Sequence, residues 1–265
     1  MIVEAALAAL FGLLIGSFLN VCIFRLPYDL TPANPPRSFC PKCETTIAWY
    51  DNIPLVSFVL LRGKCRNCKE LISYRYPLVE LLTAFFFFLA VYKQGVSWPA
   101  LKLCVFAAIA IDLIFTDFEE RILPDEFTYG GALAGLLFAF KVPLPLMFGY
   151  FLLAGERRQW ILYPVEALLS GLFCSGILWS AGALYKKFRK QEGMGLGDVK
   201  MVGMLGSFFG LMPALLILLI GNVLGSVMGL LFIFFAKKDA ATFEIPLGSF
   251  LGIAGLWVAF FGSRV

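Results

Sequence analysis

The chain has 265 residues, of which 60% are hydrophobic, 16% aromatic and 15% charged, with a mean hydropathy of +0.84. Soluble globular chains run about 45–50% apolar and about 25% charged, so this composition suits lipid, and the formal charge of +4 is too small for a nucleic-acid binder. There is no histidine, which excludes Ser-His and Cys-His nucleophiles, His-ligated metals and His-held haem.

A helix crossing the hydrocarbon needs roughly 20 apolar residues. Eight stretches are candidates, at about 2–24, 77–93, 98–116, 127–148, 161–185, 198–211, 213–236 and 245–262. They predict an all-α integral membrane protein with about eight transmembrane helices, with residues 1–94 and 95–265 as its two divisions. The first stretch lacks a basic segment before it and carries Asn20 and Cys22 towards its end. It is therefore expected to remain as a span rather than to be removed as a signal peptide. Lys141, Pro143 and Pro145 interrupt the far end of the fourth, and the glycine-rich sixth is short enough to need tilt or shelter among its neighbours. With the N-terminus outside, 16 Lys and Arg fall on the inner side and 6 on the outer. That imbalance places the large loop, about 25–76, in the cytoplasm. No repeat of the inverted-repeat transporter kind is present.

Composition shifts at residue 25, where a polar stretch with four cysteines begins. Cys40-Pro-Lys-Cys43 is followed after 21 residues by Cys65-Arg-Asn-Cys68. Two such knuckles supply four thiolates, enough to close a tetrahedron around Zn²⁺. A reducing compartment favours metal over two CxxC disulfides, the alternative pairing. Four protein ligands leave no open position for water, so a zinc here is structural. It would order a loop of about 50 residues that cannot bury much core. Cys22, Cys104 and Cys174 lie in apolar stretches and read as small core residues.

Ionisable groups inside spans are costly, which makes Glu4, Glu80, Asp112, Asp117, Glu166 and Asp198 functional candidates. Asp117 ends the third span shortly before Leu123-Pro124-Asp125, and Asp198 opens the sixth in Gly193-Met-Gly195-Leu-Gly197-Asp198-Val-Lys200. Both belong at the cytoplasmic edge, on different helices, where they could meet. Two carboxylates a few ångströms apart share a proton, and such a pair can activate water and polarise a carbonyl without histidine or metal. The glycines would let a substrate backbone approach. The alternatives are a simple turn, a close helix contact, or an Asp that only caps its helix. A phosphate cradle fits poorly, because GxxxxGK[ST] is absent. Asp112 could face the same cavity, pair with another polar group or line a proton path. Asp125 is expected to cap the next helix, Glu80 to mark where the cysteine loop re-enters the membrane, and Glu4 and Glu166 to be solvated at outward ends.

The pairing of Gly195-Leu-Gly197-Asp198 with Asp117 upstream of Leu123-Pro124-Asp125 resembles the GxGD membrane aspartyl proteases, specifically the bacterial type IV prepilin peptidases. Further blocks carry the resemblance in the family's order. They are Gly16-Ser-Phe-Leu-Asn20 with Arg25-Leu-Pro27, the two CxxC pairs, Trp49-Tyr-Asp-Asn52-Ile-Pro54, Arg62-Gly-Lys-Cys65, Tyr74-Arg75-Tyr-Pro77-Leu-Val-Glu80-Leu and Ile245-Pro-Leu-Gly248. The resemblance implies a multi-pass enzyme of the bacterial inner membrane with its active site at the cytoplasmic face. It implies removal of the basic leader of type IV prepilins or type II secretion pseudopilins, then methylation of the new N-terminal amine from S-adenosylmethionine. Carried over by position, Asp117 and Asp198 are the catalytic pair, Gly195, Gly197 and Lys200 belong to the substrate loop, and Cys40, Cys43, Cys65 and Cys68 hold zinc. The family pattern has no place for Asp112. It often has Asp where Glu119 stands and His where Phe24 stands. No GxGxxG follows a strand pattern, and no residue is assigned to S-adenosylmethionine. The stretch at about 141–162, long for a connection, receives no function. A membrane transporter or channel with a regulatory zinc module, using Asp112 and Asp117 as an ion path, is the competing reading.

Overall fold

The structure, a computed structural model, describes residues 1–152, 159–190, 195–236 and 246–262. Among these residues ten α-helices occur, and the only β-structure is two isolated bridges. The helices are α1 (Ile2–Arg25), α2 (Val56–Leu60), α3 (Arg75–Gln94), α4 (Trp98–Glu120), α5 (Asp125–Ala139), α6 (Phe148–Leu152), α7 (Gln159–Arg189), α8 (Leu196–Phe209), α9 (Leu211–Ala236) and α10 (Leu247–Phe261).

A helix occupies each of the eight expected places, and among the described residues five are long and apolar enough to cross a membrane: Ile2–Tyr28, Arg75–Gln94, Trp98–Glu120, Trp160–Arg189 and Leu211–Phe232. The protein is thus a multi-pass, all-helical membrane protein by length and composition, with five of the eight expected spans reaching full length among the described residues. Helices α5 and α10 have 15 residues and α8 has 14. At about 1.5 Å per residue they reach roughly 22 Å, short of the roughly 30 Å hydrocarbon. Helix α5 ends at Ala139 rather than near 148, because Lys141, Pro143 and Pro145 follow at once.

The chain divides into two compact units, Met1–Asp112 and Leu113–Val265. In the first, α1 and α3 pack along their lengths. Gly12 and Gly16 form the contact face: a Cβ there would lie 2.8 Å from Ala84 Cα and 2.7 Å from Glu80 Cα. This is the small-xxx-small packing that lets backbones meet in lipid. Asn20, one turn on, donates from its amide to the carbonyls of Gly16 and Tyr76 at 3.3 and 3.1 Å. Buried Arg25 closes α1 by donating to the carbonyls of Pro32 and Pro35, both at 2.8 Å, and so folds the loop back on the helix end.

In the second unit, short α8 lies between α5 and α7, with every residue from Met201 to Phe208 buried. A Cβ on Gly206 would stand 2.6 Å from the Ser170 carbonyl oxygen, and one on Gly135 2.6 Å from Ser207 Oγ. The expected shelter of the sixth apolar stretch is therefore present and rests on glycine at both contacts. Gly210, at φ 80°, breaks α8 from α9 in a conformation that disfavours other residues.

Glu166 departs from its expected solvation. It is fully buried in α7 and accepts hydrogen bonds from Met147 N (2.9 Å), Gly149 N (2.8 Å) and Ser170 Oγ (3.0 Å). Those N–H groups lie at the N-terminal end of α6, where no helical carbonyl reaches them, and the carboxylate supplies the acceptor. Glu4 is exposed, as expected. Glu156, within the 141–162 connection, lies outside the described residues, as do Gly193 and Ile245.

Candidate functional site

Helix α8 starts at Gly195, its N-cap, which puts Gly197 second and Asp198 third in the first turn. Asp198 is therefore not the N-cap. Its carboxylate accepts from the Gly195 backbone N–H, the returning half of a capping box. Gly195 has an ordinary extended backbone, φ −71° and ψ 143°, so no left-handed turn demands glycine there. Gly197 is needed for close approach, since a Cβ would lie 3.1 Å from Leu123 Cβ. Leu123 thus links the glycine loop to the Leu-Pro-Asp segment that follows α4.

Asp117 sits in the last turn of α4 and is buried. Its Oδ2 accepts the backbone N–H of Ser249 at 2.7 Å and lies 2.9 Å from Ser249 Oγ. The same hydroxyl lies 2.9 Å from the Ile114 carbonyl oxygen and can donate to one acceptor at a time. Ser249 is the third residue of α10, whose N-cap is Pro246, so the Asp117 carboxylate faces a helix N-terminus, where N–H groups and the dipole favour an anion. Gly248 admits it: a Cβ there would be 3.2 Å from Asp117 Cγ and 2.8 Å from Leu123 Cδ2. Asp117 is also the charged group that acts electrostatically on half-buried Asp198. The two aspartates singled out in the sequence are near enough to interact electrostatically, and Leu123, which packs on both Gly197 and Gly248, lies between their two loops. Ser249 was missed. Its signal is a proline before an apolar helix with a hydroxyl residue in the first turn.

Lys200 points away from a bare loop role. Its Nζ lies 2.6 Å from Asp125 Oδ1 and 5.1 Å from the Tyr129 ring centroid. Asp125 is the first residue of α5 and makes no side-chain cap, because Pro124 holds the N-cap place; the pair ties the starts of α5 and α8. Asp112 is fully buried in α4.

In the first unit the Sγ atoms of Cys40, Cys43, Cys65 and Cys68 all lie within 4.8 Å of one another, and Cys40 and Cys68 stand 3.8 Å apart. A tetrahedral thiolate site with bonds of about 2.3 Å has sulfurs about 3.8 Å apart. The donor set thus fits a metal ion, and no disulfide joins the four. Both knuckles have the same fold. Glu44 N donates to Cys40 O and Cys40 N to Thr45 O, as Lys69 N does to Cys65 O and Cys65 N to Glu70 O. Glu44 and Lys69 both take a left-handed backbone, and bridges Phe39–Thr46 and Lys64–Leu71 close the two turns. Hydrogen bonds from the Thr45 side chain and backbone, with Asn67 adding a smaller share, hold the Cys43 thiol down to about 6. Arg66 grips Asp51 through two 2.7 Å bonds, which fixes the second knuckle to the Trp49–Asn52 turn.

Residues 10–94 match the family model for the bacterial peptidase A24 N-terminal domain, and residues 104–230 match that of the type IV leader peptidase family. A protein of Xanthomonas campestris pv. campestris is 35% identical over 276 residues, covering 96% of this chain and 90% of its own length. One of Aeromonas hydrophila is 34% identical over 277 residues (96% and 89%), and one of Neisseria gonorrhoeae 32% over 280 (96% and 89%). All three carry the name prepilin leader peptidase/N-methyltransferase. No solved structure matches the chain significantly.

Proposed function

The chain belongs to the type IV leader peptidase family, and from that premise we propose that it removes the basic leader of prepilins with Asp117 and Asp198 as its catalytic pair. The observation that carries this reading is that the two carboxylates, Asp198 in the first turn of α8 and Asp117 against the first turn of α10, lie near enough for one to act electrostatically on the other. The pair shares one proton. The ionised carboxylate takes a proton from water while the water oxygen attacks the carbonyl carbon of the scissile bond. The protonated partner donates to the carbonyl oxygen. Collapse of the tetrahedral intermediate breaks the C–N bond, and the proton taken from water passes to the leaving amine. Ser249 keeps Asp117 oriented throughout. Gly195 leaves room for the substrate backbone beside Asp198, Gly197 lets Leu123 pack against the loop, and Lys200, through Asp125, holds that loop in place.

The remaining assignments follow the same reading. The protein lies in the bacterial inner membrane with the aspartates at the cytoplasmic face, where a negative cleft suits a basic leader. Its substrates are type IV prepilins or type II secretion pseudopilins, whose apolar helices stay in the bilayer. Residues 1–94 carry the cysteine module, and residues 95–265 carry the protease. Cys40, Cys43, Cys65 and Cys68 hold a structural Zn²⁺ that orders the loop. The freed amine is then methylated, with S-adenosylmethionine supplying the methyl group. No named strand, and so no strand-to-helix glycine cradle, exists among the described residues, and none of them is assigned to that donor. No observation favours the transporter reading. Mass spectrometry of a synthetic prepilin incubated with the purified protein and S-adenosylmethionine tests the proposal. The expected product lacks its leader and carries one added methyl group. An uncut substrate overturns the peptidase, and a cut but unmethylated product overturns the second activity.

A further inference from the structure

The cysteine module carries side chains that water does not suit. Trp49 and Tyr74 are 80% and 81% exposed, Val59 and Leu60 71% and 75%. In α2 the two faces differ sharply. Ser57 is buried, accepting from Ile53 N at 3.0 Å and donating to the Tyr50 carbonyl at 2.8 Å, and Phe58 packs on Tyr74 with ring centroids 5.8 Å apart. The opposite face presents Val56, Val59 and Leu60, all apolar and all exposed. A helix facing water would carry polar residues there.

The height of α2 is fixed by one hydrogen bond. Leu55, immediately before the helix, donates its N–H to Glu80 Oε2 at 2.8 Å, across a left-handed backbone at φ 60°. Glu80 stands five residues into α3, a helix long and apolar enough to span, so the tie lies about 7.5 Å along that helix from its start. The headgroup zone is about 5–8 Å deep on each side of the hydrocarbon. The start of α2 is thus held at the membrane boundary and not out in bulk water. Tyr74, Leu78, Leu81 and Phe85 follow one another at helical spacing from the N-cap along α3, all exposed as on a face that a span turns to lipid, and Phe58 of α2 packs on Tyr74 at the start of that stripe. Arg62 and Lys64, exposed directly after α2, supply the basic rim that anionic headgroups attract, and aromatic side chains such as Trp49 and Tyr74 favour that layer.

We propose that the cysteine module is an interfacial domain, with the Val56–Val59–Leu60 face of α2, flanked by Trp49 and Tyr74, seated in the headgroup and upper acyl layer of the bilayer. The module then keeps a fixed depth relative to α1 and α3. This needs nothing from the peptidase reading. The intact protein, without substrate, is reconstituted in vesicles of phosphatidylethanolamine and phosphatidylglycerol and exposed to a carbene probe dissolved in the hydrocarbon. Parallel samples receive hydroxyl radicals from the water phase, and peptides are mapped by mass spectrometry. Carbene label on residues 56–60 comparable with that on 78–85, lost in Leu60→Glu at unchanged metal content, together with protection of Trp49 from radicals, is the expected result. Absence of carbene label with oxidation of Trp49 overturns the proposal, because the module then projects into water. Absence of both marks means another protein surface covers the face, and overturns it equally.

Discussion

Replacing Ser249 with alanine removes one of the two donors on Asp117 Oδ2 and leaves the other. A hydrogen bond to a charged group is worth about 1.5–3 kcal/mol. The lower end applies here for two reasons. The Ser249 backbone N–H, at 2.7 Å, survives the substitution, and the lost hydroxyl divided its single proton between Asp117 and the Ile114 carbonyl. A cost of about 1.5 kcal/mol in orienting the carboxylate corresponds to roughly a tenfold fall in kcat. KM should hold, because Ser249 meets Asp117 and the α4 backbone and is given no substrate contact. Steady-state cleavage of a synthetic prepilin by wild type and Ser249→Ala in matched detergent reads both parameters. A kcat within about twofold of wild type would refute the orienting role, as about tenfold is what the lost bond predicts. So would a loss as complete as that of Asp117→Asn, since one residual donor should preserve most of the geometry.

Gly248→Ala places a Cβ 2.8 Å from Leu123 Cδ2 and 3.2 Å from Asp117 Cγ, so activity should fall more than thermal stability does, as Leu123 can turn aside and Asp117 cannot. Glu166→Ala orphans the buried Gly149 N–H and should cost about 1–3 kcal/mol in thermal unfolding; Glu166→Gln, which retains an acceptor oxygen, should cost less. Gly206→Ala sets a Cβ 2.6 Å from the Ser170 carbonyl and should destabilise by about 1–3 kcal/mol. Gly176→Ala, in α7 with open space around it, should be neutral or stabilising by up to about 1 kcal/mol. Elemental analysis should find about one metal ion per chain, as one set of four thiolates can hold, and chelation should open residues 38–74 to protease while α1 and α3 stay protected.

The sequence displayed most of the helices because apolar runs need no partner to be recognised. Their lengths were harder to read: α5 stops at Ala139 where prolines crowd the chain, and α8 can be short because glycine contacts with α5 and α7 bury it. Asp117 and Asp198 stood out as charges at the ends of apolar stretches. Ser249 did not, because its value lies in contacts reaching back to α4 that no local pattern records. Glu166 misled for the same reason. A carboxylate near a span end reads as solvated unless the backbone N–H groups it must satisfy, here those of Met147 and Gly149, are known to fold over it. Spacing alone exposed the four cysteines, whereas the matching turns of their two knuckles needed coordinates.

The most direct measurement is cleavage of one synthetic prepilin by wild type, Asp117→Asn and Asp198→Asn, each checked for intact fold by thermal unfolding. The account predicts leader removal by wild type and none by either variant, because a lone carboxylate cannot both activate water and protonate the carbonyl. Cleavage at the wild-type rate by either folded variant would contradict it.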